Sequence, residues 1–268
     1  MNEFSSDRVA IEVGGNGVAQ VRFTRGDKMN ALDPAQFDAV IAAGEHVSAL
    51  KGVRAVVLSG EGKAFCAGLD TASFAAAPTG ENRSLADRTH GNANRAQYAA
   101  TVWRDCPAPV IAAVHGVCFG GGLQIASGAD IRVVHPDTRM AIMEMKWGLV
   151  PDMGGYALWR GLVRDDVLRE LVYTNREFSG EEARQLGLAT FLEHDPLARA
   201  TAIADEIAAK NPHAVRGAKR LFKAMHDEDG DAILLAESEE QDQIIRKPNQ
   251  VEAVMAAMQK RPAQFPEE

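Results

Sequence analysis

The sequence has few of the features that would indicate an oxidising compartment, a structural metal or a membrane. Only three cysteines occur among its 268 residues, and Cys66, Cys106 and Cys118 include no close pair and no cysteine–histidine metal spacing. No stretch approaches the roughly 18 apolar residues of a membrane span, and residues 1–10 lack a basic start followed by an apolar run. These absences favour a reduced, cytoplasmic location.

Excess basic charge is also missing, because the net charge is −8 at pH 7. This balance argues against a broad surface for nucleic acid or anionic membranes, although a local basic pocket for a phosphate-bearing ligand remains compatible with it. Hydrophobic residues make up 46% and charged residues 25%, as in an ordinary globular protein, without a Gly/Ser linker or an internal repeat. The length fits one large catalytic domain with an appended piece.

Hydrophobic patterns predict an α/β fold with a largely parallel sheet. Two β-rich runs flank the glycine-rich residues 14–17, which is typical of a hairpin. Strand patterns then alternate with helix starts and glycine turns, as in a parallel α/β sheet. The predicted strands are 9–13, 18–23, 54–59, 109–114, 130–134 and 140–143, and the predicted helices begin at Pro34, near Ala93 and at Gly120.

Strand patterns vanish from about Tyr156 onward, where helical patterns dominate. The chain is therefore divided into an α/β core over residues 1–193 and a helical region over residues 194–268. Residues 70–91 are rich in Ala, Thr, Ser and Asn without firm periodicity, which predicts a mobile loop of the kind that often carries function.

Two glycine-rich turns follow predicted strands, AFCAGLD at residues 64–70 and HGVCFGGG at residues 115–122. Small residues in the first turn let backbone amides approach a ligand, and the glycines of the second begin a helix whose free amides can face negative charge. Together the turns are suited to form a two-donor oxyanion hole. A nucleotide-phosphate loop is the alternative, but residues 60–63 lack the Walker spacing and the triple glycine is not a dinucleotide fingerprint.

Two carboxylates, Glu144 and Asp152, lie eight positions apart in an otherwise apolar segment that glycines interrupt. A buried carboxylate is either paired or functional, and desolvation raises its pKa toward the range that is useful for proton transfer at neutral pH. The segment taken alone leaves both a structural ion pair and an acid–base role open.

The chain resembles the crotonase superfamily, which contains the enoyl-CoA hydratases and isomerases. KMNAL at residues 28–32, the turns at 64–70 and 115–122, and GLVPDMGG at residues 148–155 occur in the order and approximate spacing of that family. The resemblance covers most of the chain and depends on the four motifs together. It implies a crotonase-like (ClpP/crotonase) spiral of β-β-α units, with a C-terminal helical region for oligomerisation and pocket closure.

The resemblance also implies roles for individual residues. Crotonases bind the thioester oxygen with two backbone amides, which here belong to Leu69 and Gly121. Their hydratases use two glutamates, of which Glu144 matches one, whereas Gln124 stands at the other and cannot accept and return a proton. Dienoyl-CoA isomerases of the family have an aspartate at the position of Asp152, and usually another at the position of Gln124. The favoured interpretation is an enoyl-CoA or dienoyl-CoA double-bond isomerase, with Glu144, Asp152 and Gln124 as candidate catalytic residues.

For coenzyme A, the resemblance implies contacts that run largely through the backbone, and Lys28 supplies a positive charge for the ligand's phosphates. Lys260 corresponds to a basic residue that relatives often supply from a neighbouring subunit. The candidate CoA-binding residues are Lys28, Ala31, Ala67, Leu69, Asp70 and Lys260. Coenzyme A is part of the substrate, so no separate cofactor and no metal are expected. The expected partners are an acyl-CoA thioester and further copies of the chain in a homotrimer or hexamer, without nucleic acid or membrane.

Three other functions remain open at this point. The first is an enoyl-CoA hydratase that works with Glu144 and holds water through Gln124 or Asp152. The second is hydrolysis or decarboxylation of a thioester on the same oxyanion hole. The third is a non-catalytic or nucleic-acid-binding relative, which would require lost acids or an added basic surface.

Overall fold

A computed structural model describes residues 4, 6–70, 72, 84–227, 230–245 and 247–266. Its strands are β1 (Val9–Val13), β2 (Val18–Phe23), β3 (Ala55–Gly60), β4 (Val110–Val114), β5 (Val117–Phe119), β6 (Ile131–Val134), β7 (Arg139–Ala141), β8 (Phe178–Ser179) and β9 (Phe191–Leu192). Its helices are α1 (Pro34–Ala49), α2 (Arg95–Asp105), α3 (Gly121–Ser127), α4 (Gly155–Trp159), α5 (Asp165–Thr174), α6 (Gly180–Leu186), α7 (Pro196–Ala208), α8 (Pro212–Asp227), α9 (Gly230–Ile244) and α10 (Pro248–Gln259). Gly26–Lys28 and Glu144–Trp147 form 3₁₀ turns. Most of the predicted mobile loop, residues 71 and 73–83, lies outside the described residues.

The main sheet contains six strands in the order β1-β2-β3-β4-β6-β9. β1 and β2 form the predicted antiparallel hairpin, with Val9 opposite Phe23, and every later neighbour in this sheet is parallel. The predicted α/β class with a parallel-rich sheet is confirmed. Because parallel strands end at the same edge of a sheet, the segments after β3 and β4 emerge side by side, and these segments contain the two glycine turns.

A second sheet of three strands, in the order β5-β7-β8, lies beside the main one. β8 pairs with β7 through Phe178 and Met140, while β9 extends the main sheet through Phe191 and Val133. The prediction that strands end before residue 156 is therefore wrong. Each of these late strands is two residues long, which is too short to give an alternating hydrophobic pattern.

Both faces of the main sheet are covered. Along β3, Val56 and Leu58 belong to a core shared with α1, α2 and α3, whereas Ala55 and Val57 point to the opposite face and pack with α7. This alternation follows from the two-residue period of a strand. Because α7 packs directly on the sheet, the first helix of the predicted C-terminal region contributes to the core, and the division at residue 193 stays a prediction.

The three cysteines are free and buried. Burial raises the pKa of Cys66 to about 12, so its thiol is protonated at neutral pH. Within the ranges that the structure covers, no helix is long and apolar enough to cross a bilayer.

Candidate active site

The two glycine turns, residues 64–70 and 115–122, lie against each other at the carboxyl ends of β3 and β4. Cys66 donates its backbone N–H to the carbonyl oxygen of Val117 at 3.2 Å, and Phe119 donates its N–H to the carbonyl oxygen of Cys66 at 3.1 Å. Two loops that are distant in sequence are thereby joined like neighbouring strands, which fixes the position of one relative to the other.

Glycine is required where the two turns touch. Gly68 has φ +83°, and a Cβ atom there would lie 2.7 Å from the carbonyl oxygen of Phe119. A Cβ atom on Gly122 would lie only 2.3 Å from the carbonyl oxygen of Cys66. Either side chain would force the turns apart, so the glycines in both motifs are explained by this close approach.

The backbone amides of Leu69 and Gly121 are the two donors predicted for the oxyanion hole. The position of a Cβ on Gly68 lies 3.6 Å from the Gly121 nitrogen, so the two turns bring these amides to one place. Among the described residues, neither amide donates to a protein acceptor. Gly121 is the first residue of α3 and has no acceptor within its own helix. The Leu32 side chain approaches Gly121 closely and forms part of the wall of this site.

Glu144 begins the 3₁₀ turn after β7 and is hydrogen-bonded to Gln124 on α3. The Nε2 of Gln124 donates to the Oε1 of Glu144 at 2.6 Å. The Oε1 of Gln124 accepts two backbone N–H donors, from Met153 at 3.0 Å and from Gly155 at 2.9 Å. The second carboxylate oxygen of Glu144, Oε2, is buried and has no hydrogen-bond partner among the described residues.

Both predicted acids have raised pKa values. Burial raises the pKa of Glu144, and the negative charge of Asp152 raises it further, while the hydrogen bond from Gln124 acts in the opposite direction. Burial also raises the pKa of Asp152. In the part of the chain that the structure describes, no cation contributes to either shift. The two carboxyl groups therefore lie near each other, and no described residue provides the counter-ion that a structural ion pair would need.

Five of the six residues predicted to contact coenzyme A, all except Lys260, lie in or beside the turn at residues 64–70. The Ala67 N–H donates to the carbonyl oxygen of Met29 at 2.9 Å, which ties this turn to the KMNAL segment. Lys28 is exposed beside it, and Ala31 is buried. The structure thus brings Lys28, Ala31 and Ala67 together with Leu69.

Sequence reasoning missed Arg25, which organises this region. Its Nη1 donates to Asp70 and to the carbonyl oxygen of Ala31, both at 2.8 Å, and its Nη2 lies 3.3 Å from the carboxylate of Asp33. The backbone N–H of Ala72 and the guanidinium of Arg25 hold the pKa of Asp70 below its usual value. The only sequence signal was the position of Arg25 just before the KMNAL segment.

Lys260 is not brought to the other candidates within one chain. It follows α10 as an exposed residue, and no hydrogen bond or ion pair among the described residues joins its side chain to theirs. Farther along, the carbonyl oxygen of Phe265 accepts a hydrogen bond from Arg54 at 2.9 Å. Arg54 precedes β3, so this tail reaches the amino-terminal edge of the sheet, opposite the glycine turns. A role for Lys260 in a neighbouring subunit stays a prediction.

Within the described ranges, no group of three or more His, Cys, Asp or Glu side chains is arranged to hold a metal ion. His115, at the second turn, has its Nε2 3.1 Å from the carbonyl oxygen of Gly62, so its ring is engaged with the backbone. The groups that the structure brings together at the two turns are the two acids, Gln124 and the backbone amides.

Comparisons with family models, with curated proteins and with solved structures agree on one family. A family model described as enoyl-CoA hydratase/isomerase matches residues 14–268. The mitochondrial Delta(3,5)-Delta(2,4)-dienoyl-CoA isomerase of Mus musculus is 29% identical, and the alignment covers 97% of this chain and 82% of that protein. The enoyl-CoA hydratase EchA19 of Mycobacterium tuberculosis is 33% identical over 76% of each chain. The solved enoyl-CoA hydratase of Bacillus anthracis has a TM-score of 0.88 at 25% identity, covering 97% of this chain and 99% of that one.

Proposed function

The chain belongs to the enoyl-CoA hydratase/isomerase family, and from that premise we propose that it moves a double bond within an enoyl-CoA or dienoyl-CoA thioester. The observation that carries the proposal is the neighbouring pair of acids, the half-buried Glu144 and the more exposed Asp152, both with raised pKa values and with no cation contributing among the described residues. Isomerisation requires groups that can take and return a proton near neutral pH, and it requires no bound water.

In the proposed mechanism, one of the two carboxylates removes a proton from the carbon next to the thioester carbonyl. The electrons of that C–H bond move into the carbonyl, and the backbone amides of Leu69 and Gly121 donate to the enolate oxygen that results. Each well-aimed donor contributes roughly 10²–10³ in rate. The electrons then return through the conjugated system, the double bond shifts, and a protonated carboxyl group delivers the proton to the far carbon. Substrate and product have the same atoms.

Asp152 is the reason why the proposal includes a dienoyl-CoA thioester as a substrate. A proton that moves from one end of a conjugated diene to the other is more easily carried by two acids than by one, and Asp152 is close enough to Glu144 to raise its pKa. The named dienoyl-CoA isomerase relative supports this form, whereas the named hydratase relative keeps hydration as the principal alternative.

The test is to incubate the purified protein separately with crotonyl-CoA, a 3-enoyl-CoA and a 3,5-dienoyl-CoA, and to follow product mass and ultraviolet absorbance. Products of unchanged mass from the 3-enoyl or 3,5-dienoyl thioester are expected. Glu144→Gln and Asp152→Asn are each expected to lower this rate by at least about 10². Asp137→Asn is the matched control, because that carboxylate is 91% exposed, and it should retain the rate.

Faster addition of water to crotonyl-CoA than isomerisation of either other thioester would show that the chain is a hydratase. Release of free CoA or carbon dioxide would instead indicate hydrolysis or decarboxylation. The cytoplasmic location and the homotrimer or hexamer remain predictions beside this activity.

A further inference from the structure

The hydrogen bonds of Gln124 leave its side chain no freedom to hold a substrate or a water through oxygen. The side chain is 1% exposed, and its Oε1 accepts from the backbone N–H groups of both Met153 and Gly155. An amide oxygen has two lone pairs, so these two donors saturate it. The amide orientation is therefore fixed, with Nε2 facing Glu144.

This orientation makes the two oxygens of Glu144 inequivalent. Nε2 of an amide can only donate, so the Oε1 of Glu144 must accept and cannot carry a proton directed at Gln124. The remaining oxygen, Oε2, is buried and has no partner among the described residues. Of the two oxygens, only Oε2 is left without a hydrogen-bond donor, so the proton of a protonated Glu144 is expected on Oε2.

We propose that Gln124 is a positioning residue that holds Glu144 as a proton carrier with a single working oxygen and thereby favours isomerisation over hydration. The inference rests on the proposed function and deepens it. The same amide clamps the backbone at residues 153–155, next to Asp152, so one side chain fixes the segments that carry both acids.

The bias against hydration follows from the missing acceptor. A water that attacks an enoyl thioester must be held by acceptors that can also take its proton, and Gln124 offers neither a free lone pair nor a basic atom. A glutamate at position 124 would provide both. Gln124 therefore removes the second base while keeping the hydrogen bond that orients the first.

Two variants separate positioning from simple packing. Gln124→Met keeps the approximate size but loses every hydrogen bond, and we expect kcat for isomerisation to fall about 10- to 100-fold with KM changed less than about threefold. Gln124→Glu keeps the shape and places a second carboxylate beside Glu144, so the rate of crotonyl-CoA hydration is expected to rise at least about tenfold. Gln36→Met is the matched control, because Gln36 is also fully buried but its amide atoms have no partner among the described residues.

A readout that does not depend on turnover completes the test. In protein labelled with ¹³C-glutamate, the Glu144 side-chain resonance is identified by its loss in Glu144→Gln and is then titrated. The titration midpoint of Glu144 is expected to rise by about one pH unit in Gln124→Glu, because two negative charges would then lie side by side. It is expected to rise also in Gln124→Met, because the hydrogen bond from Nε2 of residue 124 to Glu144 is lost. Gln36→Met should leave it unchanged.

An unchanged Glu144 midpoint in both position-124 variants would overturn the positioning role, whatever reaction the wild-type protein catalyses. If Gln124→Met does not fold, Gln124→Glu alone decides this point, since it retains acceptors for the 153 and 155 amides. If the midpoint moves as expected but the wild-type protein isomerises neither the 3-enoyl nor the 3,5-dienoyl thioester, the positioning role stands and the isomerase proposal fails.

Discussion

At Glu144, the requirements of catalysis and of folding act in opposite directions. Burial raises the pKa of this carboxyl group, which suits proton transfer, but the same burial makes the charged form unfavourable in the folded protein. An acid with a raised folded pKa binds more protons when folded than when unfolded. Its contribution to stability is therefore most favourable below the unfolded pKa and becomes less favourable as the pH rises through the folded pKa.

We expect Glu144→Gln to stabilise the protein at pH 8, by about 1 kcal/mol, because it removes a buried charge whose Oε2 has no partner among the described residues. The gain should shrink toward zero near pH 4, where Glu144 is protonated in the wild-type protein as well. Thermal unfolding of both proteins at the two pH values measures the difference, with the exposed Glu45→Gln as control. An equal gain at both pH values would mean that charge is not the cause.

The acids of the site were predictable from sequence because carboxylates are conspicuous in an apolar segment, and Glu144 and Asp152 do lie close together. The hydrogen bonds of Gln124 were not predictable, since they connect α3 to backbone amides about thirty positions later along the chain. The role of Arg25 was not predictable from sequence for a similar reason. A surface arginine and an organising arginine have the same local pattern, and only the fold brings Asp70 within reach.

Helix α8 is attached to the core through the buried ammonium group of Lys219. The Nζ of Lys219 donates to the carbonyl oxygens of Trp103 at 3.2 Å and Ala108 at 2.9 Å, and to the Oδ2 of Asp130 at 2.7 Å. The lysine side chain is 9% exposed, while that of Asp130 is 33% exposed. The bonds join α8 to the end of α2, to the loop before β4 and to the start of β6.

Lys219→Met is expected to lower the free energy of unfolding by about 2 kcal/mol, because two carbonyl oxygens lose the ammonium donor and Asp130 loses its counter-ion, keeping only the backbone N–H of Val110. This value is below that for a fully buried pair, since Asp130 is partly solvated. Lys223→Met, one turn later, removes a pair with Asp105 in which both side chains are more than a third exposed, and should cost less than about 1 kcal/mol. Equal losses in urea unfolding would contradict the anchoring role of Lys219.

Elements with a strong local signal were the ones that sequence predicted well. The hairpin, the start of α1 at Asp33 and Pro34, and the glycine turns each depend on residues within a few positions. β8 and β9 form instead by pairing with strands that lie far away in the sequence. A segment of two residues has no sequence pattern from which such pairing could be predicted. The family resemblance extended the prediction to the spiral fold, which local patterns do not specify.

At the scale of the whole molecule, the last three helices leave large apolar side chains on the surface. They include Phe222 and Met225 on α8, Leu235 on α9, and Val251, Val254, Met255 and Met258 on α10. Large apolar side chains that are exposed in one chain are often covered by protein–protein contacts in assemblies. It supports the homotrimer or hexamer that the family resemblance implies.

We therefore expect multi-angle light scattering after size-exclusion chromatography to give three or six times the 28.8 kDa of one chain. Phe222→Asp and Met258→Asp place a charge on side chains that are 61% and 76% exposed in one chain, so each should shift the protein toward monomers without unfolding it. Tyr173→Asp on α5, at 66% exposure, is the matched control and should leave the mass unchanged. A wild-type monomer would show that these helices serve another purpose, and it would also remove the route by which Lys260 of a second copy reaches the site.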